Sequence, residues 1–181
     1  MEEFFENLWI YCNAAVWSLQ NSTKDINVNK HIYNDKILDL GCGYGTVGIY
    51  AAKKIGAQKV MMTDKETLAV EVAEKNAVIN GVEGIKIEVS DAYDNINDKD
   101  FTKILSNPPY HTDFSVAKKF IEKGFNRLVL NGRMYMVTKR KEWYKNKLIA
   151  IFGGVKIWEI DGYYVFMAVK KSTSYANKKP L

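Results

Sequence analysis

Short apolar runs alternate along the chain with segments of helical periodicity. The runs are rich in the residues that favour buried strands, and they are residues 36–40, 59–63, 85–89, 103–106 and 133–138. In the segments between and after them, apolar residues recur at intervals of three and four. These segments predict helices over residues 44–54, 67–80, 115–130 and 141–152, the third of them stopped by Asn131-Gly132. Strands alternating with helices predict a parallel sheet with helices on both faces.

The two ends of the chain depart from this alternation. Apolar positions in the first 25 or so residues recur at helical spacing, which predicts an N-terminal helix followed by a polar connector. Near the other end, two β-rich runs at 155–160 and 163–169 flank Asp161-Gly162, a dipeptide typical of hairpin turns. The pattern therefore predicts an α/β fold with a seven-stranded, mostly parallel sheet and a C-terminal antiparallel hairpin.

The chain is organised as one domain. Its 181 residues match the size of a single compact unit, and neither a repeat nor a linker divides them. We expect an N-terminal helix and connector over 1–35, a core over 36–170 and a basic tail over 171–181.

Composition excludes several classes of protein. Apolar residues make up 47% of the chain, but none of the apolar runs approaches the roughly 20 residues of a membrane span. The acidic start Met1-Glu2-Glu3 is unlike a secretory signal, and Cys12 and Cys42 form no CxxC pair. Two histidines and two cysteines are too few and too scattered to suggest a zinc site. We therefore expect a cytoplasmic protein with no metal and no membrane partner.

Positive charge is concentrated in the last quarter of the chain. From residue 138 onward, ten Lys/Arg stand against three Asp/Glu, giving +7, whereas the whole chain carries +5. A local excess of this kind favours a polyanionic partner, although a solvated basic tail would give the same count.

A glycine loop follows the first predicted strand. Asp39-Leu-Gly-Cys-Gly-Tyr-Gly45 leads into a predicted helix, so its backbone can approach a ligand closely. Gly43, Gly45 and Gly48 also fit the G-x-G-x-x-G pattern of dinucleotide sites, but that pattern would start two residues late. Asp39 suits a ligand that carries an ammonium group better than one that carries a pyrophosphate. The loop alone leaves the nucleotide cofactor open.

Acidic residues follow the next two predicted strands. Asp64 is placed to accept both ribose hydroxyls of an adenosyl group, although it could also cap the following helix. Asp91, with Ala92 beside it, stands where an adenine amino group could be bound, although an aspartate after a strand is more often a turn residue.

The fourth predicted strand ends in Ser106-Asn-Pro-Pro-Tyr110. Two prolines remove two N–H donors, so this corner presents oxygen atoms that only accept hydrogen bonds. The Asn107 side chain and the Pro108 carbonyl can each take one hydrogen of an NH2 group and direct its lone pair at an electrophilic methyl group. Tyr110 can stack on a base, a contact worth about 1–3 kcal/mol. This stretch indicates a substrate amine.

Together these motifs resemble class I S-adenosylmethionine-dependent methyltransferases that act on amino groups. From Lys36 to Lys170 the chain is more closely similar to the family of ribosomal small-subunit RNA methyltransferases that modify the exocyclic amine of guanine. The closer resemblance is carried by Ser106-Asn-Pro-Pro-Tyr-His111, by Leu130-Asn-Gly-Arg-Met-Tyr-Met-Val137, and by Phe152-Gly-Gly together with Gly162-Tyr-Tyr-Val165. It implies a Rossmann-like fold and S-adenosylmethionine as cofactor.

The resemblance also implies roles for particular residues. The cofactor-binding set would be Asp39, Gly41, Gly43, Gly45, Asp64, Asp91, Ala92 and Asn107. The catalytic set would be Asn107, Pro108, Pro109 and Tyr110. Basic residues after the fifth strand are candidates for phosphate contacts, namely Lys139, Arg140 and Lys141.

The substrate remains open between several amines. Guanine or adenine in RNA, or a glutamine amide in a protein, would fit the same corner, and the basic C-terminal quarter favours RNA. Ribosomal RNA or a ribosomal particle is the expected partner, with specificity from RNA shape or from a partner protein. A non-enzymatic cofactor-binding subunit is the remaining alternative, and the intact Asn-Pro-Pro-Tyr argues against it.

Overall fold

A computed structural model describes residues 35–109 and 114–176; the predicted N-terminal helix and Tyr110 lie outside these ranges. The strands are β1 (Ile37–Leu40), β2 (Val60–Asp64), β3 (Lys86–Val89), β4 (Phe101–Ser106), β5 (Leu128–Thr138), β6 (Lys156–Ile160) and β7 (Tyr163–Val169). The helices are α1 (Thr46–Ile55), α2 (Thr67–Ile79), α3 (Phe114–Arg127) and α4 (Lys141–Phe152), with a short 3-10 turn at Ala57–Lys59. Within the described ranges, no helix has the length and apolar character to cross a membrane.

The seven strands form one sheet in the order β3-β2-β1-β4-β5-β7-β6. The first five are parallel, whereas β7 runs antiparallel to both β5 and β6. The predicted Rossmann-like sheet and its terminal hairpin are confirmed. Strands β2 and β3 lie on one side of β1, and β4 and the later strands lie on the other side. The strand order therefore reverses between β1 and β4. Ligands of open α/β sheets bind at such a point, outside the carboxyl ends of the strands.

Each face of the sheet carries its own hydrophobic core. Ile37 and Met62 point to the side covered by α1 and α2, whereas Leu38 and Ile104 point to the side covered by α3 and α4. Because both faces are covered, all four residues of β1 are buried, which is why its sequence is a nearly continuous apolar run.

The hairpin turn between β6 and β7 is built by the predicted Asp-Gly pair. Asp161 has φ 49° and Gly162 has φ 78°. Two successive positive φ values are those of a type I′ turn, whose twist matches that of antiparallel strands. The dipeptide was therefore a reliable signal for this element.

The predicted helix stop at Asn131-Gly132 was wrong. Helix α3 ends at Arg127, and β5 begins at Leu128 and runs through both residues. Asn131 adopts φ 64° within an irregular stretch where the β4–β5 register shifts. Its N–H donates to the carbonyl of Lys170, and the N–H of Lys170 donates to the carbonyl of Gly132. Asn-Gly thus makes a bulge in a strand, a conformation it favours as readily as a helix end.

The first residues of the predicted basic tail pack on the helices. The ring of Tyr175 lies 5.0 Å from that of Phe125, and its hydroxyl donates to the carbonyl of Glu122. The N–H of Ala176 donates to the carbonyl of Ile151 at 3.1 Å. Residues 171–176 therefore extend the α3 and α4 layer, while Lys178 and Lys179 lie outside the described residues.

Close packing of α1 on β2 leads to a stability prediction at Gly48. A Cβ added there would overlap Sδ and Cγ of Met62, which is fully buried. We expect Gly48→Ala to lower the free energy of unfolding by about 1–3 kcal/mol, because overpacking outweighs the better helix propensity of alanine. Urea denaturation measures the change.

Gly154→Ala is the matched control for this substitution. A Cβ at Gly154 would meet no atom within 4 Å, so we expect an unchanged urea midpoint. Equal midpoints for Gly48→Ala and Gly154→Ala would contradict the packing role of Gly48.

Candidate functional site

A cavity of about 260 Å³ opens at the carboxyl edge of the sheet, beside the point where the strand order reverses. It is formed by the ends of four parallel strands and one face of α3. Its lining residues are Leu40, Gly41, Gly43, Asp64, Lys65, Ser90, Asp91, Ala92, Asn107, Pro109, Val116 and Phe120. Seven of the residues predicted from the sequence therefore meet in one place.

The glycine loop forms one wall of the cavity. The N–H groups of Gly41 and Cys42 both donate to the carbonyl of Thr63, which fixes the loop on β2. The N–H of Gly43 donates to Oδ2 of Asp64 at 2.9 Å. A Cβ at Gly43 would meet no protein atom within 4 Å, so protein packing does not require a glycine there. Its bare backbone instead leaves room for close approach of a ligand.

The later glycines of the motif serve packing. A Cβ at Gly45 would lie 3.0 Å from Cε of Met62, and one at Gly48 would overlap the same side chain. Asp39 is fully buried, and its Oδ2 accepts the N–H of Gly48 at 2.8 Å. Neither Asp39 nor Gly45 is among the lining residues of the cavity. The two residues hold the start of α1 against the sheet, and the first two glycines of the motif face the cavity.

Asp64 projects into the cavity from the end of β2. Oδ2 accepts the N–H of Gly43, and Oδ1 accepts the N–H of Glu66 at 3.1 Å. Glu66 occupies the N-cap position of α2, without a capping hydrogen bond from its side chain, so Asp64 is not the N-cap residue. Each carboxylate oxygen has a further lone pair, which leaves this side chain able to accept hydrogen bonds from a ligand.

Asp91 and Ala92 lie in a loop that Ser90 holds in shape. The Ser90 hydroxyl donates to the carbonyl of Ala92 and accepts the N–H of Asn95. Ala92 is buried with φ 55°, an uncommon conformation for a residue with a side chain. The Asp91 side chain is 66% exposed and pairs with Lys119 of α3 at 3.0 Å. The loop thus places the Asp91 carboxylate next to the small apolar surface of Ala92.

The predicted amine-binding corner closes the opposite side of the cavity. The hydroxyl of Ser106 is buried and donates to the carbonyl of Leu40 at 2.8 Å, which ties the end of β4 to the end of β1. Asn107 and Pro109 line the cavity, and Pro108 is buried between them. The corner therefore shares one cavity with the glycine loop.

Five lining residues were not predicted as site residues from the sequence. They are Leu40, Lys65, Ser90, Val116 and Phe120. Phe120 lies close to the glycine loop, since its Cε2 would be 3.7 Å from a Cβ at Gly41. A sequence signal existed for Val116 and Phe120, which lie on the apolar face of the helix that follows the corner. That face must pack over the strand ends, so its residues could have been expected to line the cavity.

The three consecutive basic residues after β5 lie apart. The Arg140 guanidinium stands 5.0 Å from the ring centre of Phe114, at the start of α3. Nζ of Lys139 lies 4.9 Å from the ring of Tyr163, and Nζ of Lys141 lies 4.9 Å from that of Tyr164. Arg140 thus faces α3, and Lys141 lies over β7 on the same face of the sheet, whereas Lys139 lies on the opposite face.

Cys42 does not have the properties of a nucleophile. The thiol is buried, and burial raises its pKa well above the ordinary range, with the carboxylates of Asp39 and Asp64 adding to the rise. A thiol held in its protonated form is a poor nucleophile. Cys42 is a packing residue of the glycine loop.

Comparison with known proteins agrees with this geometry. The profile of the family "methyltransferase small domain" matches residues 22–167. The uncharacterized protein YbxB of Bacillus subtilis is 33% identical over 139 residues, which cover 74% of this chain and 69% of that protein. Ribosomal RNA small subunit methyltransferase C of Psychromonas ingrahamii is 32% identical over 67% of this chain. The match covers only 36% of that enzyme's length.

A solved structure shares the fold. The 16S rRNA N2 methyltransferase of T. thermophilus, in complex with AdoMet and guanosine, superposes with a TM-score of 0.77 at 22% identity. The superposition covers 88% of this chain and 42% of that protein. With the family profile spanning most of the described core, this chain belongs to the methyltransferase small domain family.

Proposed function

We propose that this methyltransferase modifies the exocyclic amino group of a guanine in RNA, and that ribosomal RNA is its substrate. The observation that carries the proposal is the placement of Asn107 and Pro109 in the same cavity as Gly41 and Gly43. An acceptor-rich corner for an amine thereby faces the loop that suits the methionine part of the cofactor.

The donor set of the cavity fits an adenosyl cofactor. Asp64 would accept the ribose hydroxyls, and Asp91 with the surface of Ala92 would bind the adenine. Apolar side chains from β1 and α3, Leu40, Val116 and Phe120, complete a surface suited to an aromatic ring. When bound, S-adenosylmethionine supplies an electrophilic methyl group at this site.

The corner acts by orienting the amine. The oxygen of the Asn107 side chain and the carbonyl of Pro108 each accept one N–H, which directs the nitrogen lone pair into the cavity. Acceptors already fixed in place need no reorganisation during the reaction, because the Ser106–Leu40 hydrogen bond holds the end of β4. A general base is not required, since an alkylated amine can release its proton to water.

Two observations favour RNA over a glutamine amide. The basic residues of the chain are concentrated beyond residue 138, and Arg140 lies at the same edge of the sheet as the corner. Several relatives with 30% identity or more, although not YbxB, are named as ribosomal RNA methyltransferases, and the T. thermophilus neighbour was solved with guanosine. These names support guanine in ribosomal RNA.

Methyl transfer can be tested directly with undermodified RNA. Purified protein is incubated with tritiated S-adenosylmethionine and ribosomal RNA transcribed in vitro, and the RNA is digested to nucleosides for mass spectrometry. We expect label in N2-methylguanosine. Label on the adenine amine would overturn the choice of base, and label confined to protein glutamine would overturn RNA as the substrate class.

Lys119 provides a test of the role proposed for Asp91. Lys119 pairs with Asp91 at 3.0 Å and with Asp94 at 2.7 Å, so it holds the exposed Asp91 carboxylate in place. We expect Lys119→Met to raise the Kd for S-adenosylmethionine about 2–5-fold, the scale of an exposed ion pair. Isothermal titration calorimetry measures this change.

Lys123 offers the matched control for this substitution. It pairs with Asp94 at 2.8 Å, and the two lysines together lower the pKa of Asp94 to about 2. Among the described residues, no ion pair joins Lys123 to Asp91. Lys123→Met should therefore leave the Kd unchanged, and an equal loss of affinity in both variants would contradict the role of Asp91.

A further inference from the structure

Three side chains beside the amine corner form a stacked group, which we call the Arg140 stack. The Phe114 ring, at the first residue of α3, stacks on Trp143 of α4 with ring centres 4.3 Å apart and planes 12° apart. The Arg140 guanidinium lies 5.0 Å from the centre of the same Phe114 ring. The stack therefore joins the turn after β5 to the helix that follows the corner.

The Arg140 stack rests on a fixed base. Tyr144 is 3% exposed, and its ring contacts Trp143 edge-on at 5.1 Å and Phe166 of β7 at 5.9 Å. The backbone N–H of Arg140 donates to the hydroxyl of Thr138 at 3.2 Å. Phe114 and Trp143 are half-buried and Arg140 is exposed, so the group packs on buried side chains and has one side exposed to solvent.

Arg140 has its charge available for a ligand. Among the described residues, none of the ion pairs involves Arg140. An aromatic ring fixes a guanidinium group in place without neutralising it, and a fixed planar guanidinium suits the oxygens of a phosphodiester.

The topology places the stack on the substrate side of the cavity. Ser106 pairs with Met136, so β5 ends at Thr138 next to the corner that follows β4. The cofactor residues lie across β4, at the ends of β1, β2 and β3. The carboxylates of Asp64 and Asp91 on that side would repel a phosphate. A polyanion that delivers an amine to Asn107 therefore approaches over β5.

We propose that the Arg140 stack is a subsite for the RNA backbone next to the target nucleotide. Arg140 binds a flanking phosphodiester, and Phe114 with Trp143 positions its guanidinium group. The inference rests on the proposed RNA substrate and adds that recognition extends beyond one nucleoside. It also separates Arg140 from Lys141, which lies over the ring of Tyr164 and not over Phe114, and from Lys139, which lies over Tyr163 on the opposite face of the sheet.

Steady-state methylation of undermodified ribosomal RNA at several salt concentrations tests the subsite. We expect Arg140→Gln to raise KM about 10–30-fold with kcat nearly unchanged, and to reduce the slope of log KM against log salt by about one. Arg140→Lys should recover only part of the loss, because an ammonium group lacks the planar fork. Lys141→Gln should raise KM less than about threefold.

The control removes one positive charge at the other edge of the sheet. Lys54 is exposed in the last turn of α1, which runs back from the strand ends, so Lys54→Gln should leave KM unchanged. Equal losses in Arg140→Gln and Lys141→Gln would overturn the subsite in favour of general electrostatic attraction. An unchanged KM in Arg140→Gln would overturn it as well.

A double-mutant cycle separates positioning from charge. Phe114→Leu should raise KM by part of the Arg140→Gln effect, and the double variant should be no worse than Arg140→Gln alone. Additive losses would overturn the positioning role of Phe114. An unchanged Kd for S-adenosylmethionine shows that each variant is folded. Absence of RNA methylation by the wild-type protein would be a failure of the proposed function, distinct from all of these outcomes.

Discussion

Asn107→Ala is expected to lower the kcat for methyl transfer about 10²–10³-fold, the usual effect of removing one preorganised hydrogen-bonding group. The substitution deletes one of the two acceptors that orient the amine and leaves the Pro108 carbonyl in place. Single-turnover transfer from tritiated S-adenosylmethionine to RNA measures the rate. Because Asp64 and Asp91 are untouched, the Kd for the cofactor should change far less than kcat.

A substitution series at position 107 distinguishes an acceptor from a packing residue. Asn107→Asp keeps oxygen acceptors and nearly the same volume, so it should retain more activity than Asn107→Ala. Asn107→Leu keeps volume without an acceptor and should be as inactive as alanine. If Asn107→Leu retained wild-type kcat, the proposed orientation of the amine would be wrong.

The fold could be predicted because it depends on patterns of short range. Strand β1 is buried on both faces, and that burial is visible in the sequence as a nearly continuous apolar run. The end of α3 was not predictable in this way. Asn131 and Gly132 form their backbone hydrogen bonds with Lys170, about forty residues away, and no local pattern contains that contact.

The site was predictable where it depends on strand ends. Asp64, Asp91 and Asn107 each follow a predicted strand, and parallel strands bring their carboxyl ends to one edge. The sequence did not predict which glycines face the cavity and which pack against the sheet. Gly43 faces open space and Gly48 faces Met62, and the difference depends on how closely α1 approaches β2. Sequence spacing carries no information on that distance.

The contacts made by the residues around the cavity were also not predictable from sequence spacing. Lys119 reaches Asp91, and Arg140 reaches Phe114, because α3 lies across the strand ends at a particular rotation. Helical periodicity gives the buried face of α3 but not which exposed residue meets which loop. The basic residues at 139–141 form one charged cluster in the sequence, but in the structure Lys139 lies on the opposite face of the sheet from Arg140 and Lys141.

A buried ion pair at the opposite edge of the sheet carries the largest expected effect on stability. Lys103 of β4 has a side chain only 8% exposed, and it pairs closely with Asp35, whose side chain is 12% exposed. Asp35→Ala is expected to lower the free energy of unfolding by about 3–5 kcal/mol, because it leaves a buried ammonium group without its partner. Urea denaturation at pH 7 measures the loss.

Removing the lysine should cost much less than removing the aspartate. Lys103→Met keeps an unbranched apolar side chain in the buried space, and Asp35 retains the hydroxyl of Thr102 as a hydrogen-bond donor. In the Lys103→Met background, Asp35→Ala should then have little further effect. A loss of 3–5 kcal/mol in the double variant as well would contradict the role of the buried charge.

The pH dependence of the Asp35→Ala defect separates charge from packing. Burial lowers the pKa of Lys103 below its ordinary value of 10.5, Asp35 opposes this shift, and Arg133 adds to it. Without Asp35 the pKa in the folded state falls further, while that of the unfolded state stays near 10.5. At a pH between these two pKa values the unfolded chain binds more protons than the folded chain, so the free energy of unfolding of Asp35→Ala rises with pH.

The loss of stability in Asp35→Ala, relative to wild type, should therefore shrink as pH rises from 7 toward about 10, because Lys103 then folds in its neutral form. A deficit that stays constant across this range would place the loss in packing and in the Thr102 hydrogen bond instead of the uncompensated ammonium group.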